Sequence, residues 1–145
     1  MSTLYTVIKF VHILTAILAL GTSAGLGMVL EFYGGHPRHG AFVLRAVERM
    51  SLWFVLPGYV LMVVTGVWMM RLAWTPVPWW IKAALALWGI GIAALLADIS
   101  VLRRQIAAEG AARSRRLSLL GRGLGATFGL IVVAILYLMV FKPAD

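Results

Sequence analysis

The chain has 145 residues, 62% of them hydrophobic and only 12% charged, with no cysteine and a formal charge of +8. A soluble domain is roughly half apolar and about a quarter charged, and so large an apolar excess cannot be hidden in so small a globule, so the expected solvent is a lipid bilayer. The missing thiols exclude disulfides, thiolate metal centres and thioether-linked haem, and nucleic acid is excluded as a partner because the basic residues lie between apolar runs, where topology signals belong.

The first apolar run, Leu4–Leu30, exceeds the roughly 7–15 residues of a secretory signal core and has no positive segment before it. It reads as a transmembrane helix, against a requirement of about 20 apolar residues. Gly21 and Gly25 within it have the spacing that lets helix backbones approach. The connection Glu31–Ser51 opens with the turn cluster Gly34, Gly35, His36 and Pro37. Ala41–Met50 then alternates apolar and charged residues with Phe42, Arg45 and Arg49 at helical spacing. This pattern fits an extension of the next helix lying at the lipid surface.

The second span is Leu52–Met70, with a kink expected at Pro57-Gly58. Arg71–Pro78 is a tight hairpin holding Pro76 and Pro78, flanked by Trp74, Trp79 and Trp80 as an interfacial belt. The third span is Trp79–Leu102. Arg103–Arg122 carries most of the positive charge, and the fourth span is Leu124–Phe141. Gly121, Gly125 and Gly129 repeat every four positions at its start, so Gly125→Leu is expected to break close packing. An open sheet would leave unpaired backbone groups in lipid, so the expected fold is all-α: a polytopic four-transmembrane-helix bundle forming one domain over residues 1–145.

Orientation follows from charge. The first and third connections hold nine arginines (38, 45, 49, 103, 104, 113, 115, 116 and 122), against Lys9, Arg71, Lys82 and Lys142 on the other side. The Arg-rich side is therefore expected in the cytoplasm, with both termini outside (N-out/C-out).

Polar groups inside spans are costly and each asks for a reason. His12 lies about two turns into the first helix, about 11 Å below the outer boundary at 1.5 Å per residue. Its stripe, with Ala16, Ala19 and Ser23, is small. Lys82 sits in a similar small-residue setting on the third span, and Met62 falls at a similar depth on the second. An imidazole, an ammonium and a thioether in one half of the bundle suit a b-type haem, with His12 on the iron, Met62 available as a further ligand and Lys82 near the propionates. A histidine bonded to a neighbouring helix, with Lys9 and Lys82 reaching to the headgroups, accounts for the same residues without a cofactor. At the Arg-rich end, Asp98 is expected to pair with Arg103 or Arg49. No Ser-His-Asp set, HExxH or nucleotide-binding motif occurs.

The stretch Tyr5–Gly21, YTVIKFVHILTAILALG, resembles the first helix of the HemJ-like protoporphyrinogen oxidase and CopD-like copper-resistance groups of bacterial membrane proteins. Their lysine-x-x-histidine element is matched by Lys9 and His12. Val47–Met70, with Glu48-Arg49 leading to Pro57 and Gly66, resembles the following HemJ-like helix, and Trp80–Lys82 the next helix start. Overall the chain is similar to an uncharacterised family of bacterial four-helix integral membrane proteins. The resemblance implies haem binding at His12 and a functional role for Lys82, although further histidines of the pattern are apolar here. The reading that results is a haem-associated protein of the bacterial inner membrane, handling electrons or porphyrin, with haem b in the outer half. A structural partner of a larger membrane complex, a homo-oligomer, and a small solute transporter are the alternatives. The transporter reading lacks a carboxylate in the first helix.

Overall fold

A computed structural model of the chain describes residues 3–108 and 115–143, with 115–118 as backbone alone. Among the described residues five helices follow in order: α1 (Thr3–Tyr33), α2 (Gly40–Met50), α3 (Leu56–Ala73), α4 (Trp79–Ala107) and α5 (Arg115–Phe141). A π turn at Ser51–Val55 joins α2 and α3 into one rod, Gly40–Ala73. Four rods are thus long and apolar enough to cross a membrane. The protein is an all-α, four-helix membrane-spanning bundle.

The π turn has a local cause. Pro57 has no N–H for the carbonyl four residues earlier, and its ring crowds that carbonyl. The helix widens just before it, so that the Leu56 N–H reaches five residues back to the Ser51 carbonyl. The kink expected at Pro57-Gly58 is taken up as this extra residue in the preceding turn.

The first connection is shorter than the sequence suggests. α1 continues to Tyr33, the chain turns through residues 34–39, and α2 begins at Gly40. Phe42, Arg45 and Arg49 form its exposed stripe, as their spacing implies. Its opposite stripe, Val43, Leu44 and Val47, is buried against Leu102 of α4. α2 is therefore packed into the bundle and does not simply lie on a surface.

The rods pack as two pairs, α1 with α3 and α4 with α5, and the pairs touch each other much less. The core where they meet holds Ala19, Val55, Tyr59, Met62, Leu95 and Ile99. Phe128 of α5 sets its ring edge-on to Tyr59 at 5.4 Å. At the opposite end Trp74 and Trp80 meet edge-on at 5.5 Å. Trp80 is buried there, so it is a core residue and not part of an exposed belt. The Lys142 ammonium lies 5.9 Å from the Trp74 ring centre and ties the end of α5 to this hairpin.

Close approach occurs at glycines other than those the repeat pattern marked. A Cβ on Gly58 would stand 2.9 Å from the Ala19 Cβ, and one on Gly66 would stand 3.1 Å from the His12 ring. At Gly21, Gly25, Gly125 and Gly129 a Cβ would meet nothing within 4 Å. The four-residue spacing clears a helix face, but only a facing helix that advances into the clearing makes contact. α1 advances on α3; nothing within the bundle advances on Gly125 or Gly129.

Gly58→Ala should therefore destabilise the bundle in detergent by about 1–3 kcal/mol, the usual cost of overpacking. Ala19→Gly in the same chain should recover much of the loss, and Gly129→Ala should cost nothing comparable. Thermal melts of the three variants check this, and a Gly58→Ala melt matching the parent protein would contradict the seam.

Candidate functional site

His12 shares its stripe of α1 with Ile8, Thr15 and Ala19, the buried residues of that helix, and so it faces α3. Its Nδ1 lies 2.9 Å from the Met62 carbonyl oxygen and 3.0 Å from Thr65 Oγ1. A carbonyl only accepts, so Nδ1 carries the proton and Nε2 keeps its lone pair. The Thr65 hydroxyl donates to the Leu61 carbonyl at 2.8 Å, which leaves its oxygen able to accept from Nδ1–H. The missing side chain at Gly66 makes this possible, because the imidazole occupies the space beside it.

The structure thus brings His12 and Met62 together through the Met62 carbonyl, not its thioether. Lys82 is on α4 with an exposed side chain, and among the described residues it forms no hydrogen bond or ion pair. An imidazole anchored through Nδ1–H on a carbonyl keeps the Nε2 lone pair that a metal ligand needs, while the ring itself is packed beside Gly66. Among the described residues no three His, Asp or Glu side chains gather to hold a bare metal ion.

The other site is a cavity of about 670 Å³ between α1, α4 and α5. It runs from Glu31, Gly35 and Arg122 at the Arg-rich end to Leu20, Ala94 and Val132 near the middle of the rods. Leu26, Leu95 and Phe128 give it apolar walls, and Ser23, Ser51, Asp98 and Gln105 give it polar points. Gly121, Gly125 and Gly129 form one side of it. His12, Met62 and Lys82 are not among its lining residues.

Asp98 is the unusual member. The expected pair with Arg103 does not form, because Arg103 turns to Glu48 of α2 at 2.7 Å. Asp98 and Arg103 are five positions apart on one helix and point to different sides, and the packed α2 supplies Arg103 with a nearer carboxylate. Arg49 is exposed on α2. Arg122 at the cavity mouth pairs with Glu31 at 2.7 Å, joining α5 to α1. Asp98 is left half-buried in the cavity wall with no hydrogen bond or ion pair among the described residues. A Cβ on Gly121 would stand 3.7 Å from its Oδ1, so the glycine keeps the carboxyl uncovered. Behind the wall Tyr59 is buried, 3% exposed, with its hydroxyl directed at Ser23 of the cavity lining.

The model of a family described as predicted integral membrane protein (DUF2269) matches residues 6–143. The chain belongs to that family. No curated protein and no solved structure matches. The family match agrees with the resemblance to an uncharacterised integral membrane family, and nothing in it links the chain specifically to the HemJ-like or CopD-like groups.

The sequence draws attention to His12 and offers Asp98 a structural role. The usable signal was a coincidence of depth: a carboxylate inside α4 and three glycines at the start of α5 all lie in the Arg-rich half.

At His12 the geometry predicts coupled losses. His12→Ala removes one interhelical hydrogen bond, at a cost on the order of 0.6–2 kcal/mol. Gly66→Ala should displace the same ring and lose the same bond. The double variant should then cost clearly less than the sum of the two, as residues acting through one contact do. Fully additive losses would show that Gly66 does not seat the imidazole.

Proposed function

We propose that the protein is a small-solute carrier, holding its solute in the cavity between the two helix pairs. The observation that carries this reading is the Asp98 carboxyl, unpaired among the described residues, in a cavity with mainly apolar walls. Ionisable groups within spans mark solute, ion or proton paths by default, and carrier sites lie near the middle of the bilayer between packed halves. This cavity reaches from one end of the rods to about their middle, and its volume is within the roughly 300–1,000 Å³ of small-molecule pockets. The carboxylate missing from the first helix is supplied by α4. No bond-making step is needed.

This reading reverses the expectation for Gly125→Leu. The side chain would enter open space and not a neighbouring backbone, so the variant should melt no lower than the parent while losing solute binding. Native mass spectrometry of protein extracted gently from its own membrane should show one small-molecule adduct per chain, lost in Gly125→Leu. A parent chain without an adduct, or an adduct that survives the substitution, would contradict the reading.

We further place the Arg-rich end in the cytoplasm of a bacterial inner membrane, with both termini outside, on the strength of the nine-to-four arginine and lysine asymmetry. A cysteine at Ala108 should be labelled only from the cytoplasm and one at Thr75 only from outside. The opposite pattern in intact cells would invert the bundle. The glycine repeat that suggested a second copy or a larger complex lines the cavity, and a single bundle suffices for this function.

A haem reading is favoured by a different observation, the anchored Nδ1–H of His12. His12 would hold the iron of haem b through Nε2, with Lys82 toward the propionates and Met62 as a further ligand. Bound haem would supply one-electron transfer. Purified protein would then show a Soret band that His12→Ala abolishes; a band indifferent to that change would remove His12 from the role.

A further inference from the structure

Resting on the carrier reading, we propose that the ligand of the cavity is a monovalent organic cation with an apolar body, its charge held at Asp98. Charge decides the sign. Arg122 and Glu31 at the mouth neutralise each other at 2.7 Å, and Arg103 is turned away onto Glu48. Among the described residues, the carboxyl of Asp98 therefore stands as the uncompensated charge of the cavity. A half-buried carboxylate among apolar walls is stabilised by an opposite charge, and burying one without it is costly. A cationic guest supplies what the fold withholds, and an anionic guest would add a second negative charge.

The walls decide that the cation is organic. A bare calcium or magnesium ion needs about six oxygen ligands, and no cluster of three ligating side chains exists among the described residues. Leu20, Leu95 and Phe128 offer apolar surface instead, and Phe128 is an aromatic residue of the kind that can attract a diffuse cation. The cavity is too large for an inorganic ion alone and suits a compact molecule of several rings or branches. The empty position at Gly121 opens the approach to Asp98 Oδ1.

Tetraphenylphosphonium and tetraphenylborate, nearly the same shape with opposite charge, test this on the full chain in detergent by equilibrium dialysis. Tetraphenylphosphonium should bind saturably at one site, and tetraphenylborate should not. Asp98→Asn should weaken the cation by about tenfold or more and Asp98→Glu should restore much of it, with melting curves confirming that each variant is folded. If both ions bind, Asp98→Asn changes nothing and Gly125→Leu abolishes binding, the cavity is a site but the cation assignment is wrong. If neither ion binds saturably, or if Gly125→Leu leaves cation binding intact, the carrier reading falls together with the assignment.

Discussion

The close approach of α1 to α3 sets the rest of the bundle. Two glycines of α3 admit two residues of α1: Gly58 takes Ala19, and Gly66 takes the ring of His12. Between lipid and protein there is little hydrophobic gain to draw helices together, so close packing and interhelical hydrogen bonds must do it. Both are present in this seam, with the His12 bond to the Met62 carbonyl lying beside the Gly66 contact. Once α1 is committed to α3, its other side cannot also follow α4 and α5. The space between the pairs is the geometric consequence.

That space is closed only at selected points. Tyr59 and Phe128 meet across it in the core, α2 packs onto α4 through Val47 and Leu102, and two ion pairs bridge the Arg-rich end. Exposed ion pairs contribute only about 0–1 kcal/mol each, so Glu31–Arg122 and Glu48–Arg103 serve chiefly to set position. By engaging Arg103 and Arg122, they also leave Asp98 facing the cavity without a partner among the described residues. A carboxyl without a partner among the described residues, and glycines where side chains would fill the gap, are poor choices for stability. Such departures from local consistency are expected where a site is built.

The sequence carried the architecture because each signal for it is local. Apolar run length, the forced helical reading and the Pro76–Pro78 hairpin need no knowledge of partners. The continuous rod Gly40–Ala73 was half visible: the Phe42–Arg45–Arg49 stripe marked the exposed side of α2, but its burial on α4 is a tertiary fact. The glycines misled for the same reason. Spacing shows which helix face is bare, and Gly58 and Gly66 carry no repeat at all, yet they take the contacts. Proximity along the chain and depth offer Asp98 either Arg103 or Arg49, but Glu48, fifty-odd positions from Arg103, reaches Arg103 in space, and Arg49 is exposed. Depth placed His12 and Met62 at one level; only the structure shows that the carbonyl is the group that meets the imidazole.

The carrier reading requires that the glycine side of α5 face an open cavity that a solute can reach, while the adjoining side faces outward from the bundle. Gly129 and Leu130 test it as consecutive positions at one depth: a Cβ at Gly129 meets nothing within 4 Å and the residue lines the cavity, whereas Leu130 is 73% exposed on the outer surface. The natural chain has no cysteine, so Gly129→Cys and Leu130→Cys can be compared directly for reaction with a neutral maleimide in membranes. A thiol reacts as its thiolate, which forms in water and not in hydrocarbon. The cavity predicts rapid labelling of Gly129→Cys and little of Leu130→Cys. Equal resistance at both positions would mean that the gap between the helix pairs is closed or filled with lipid.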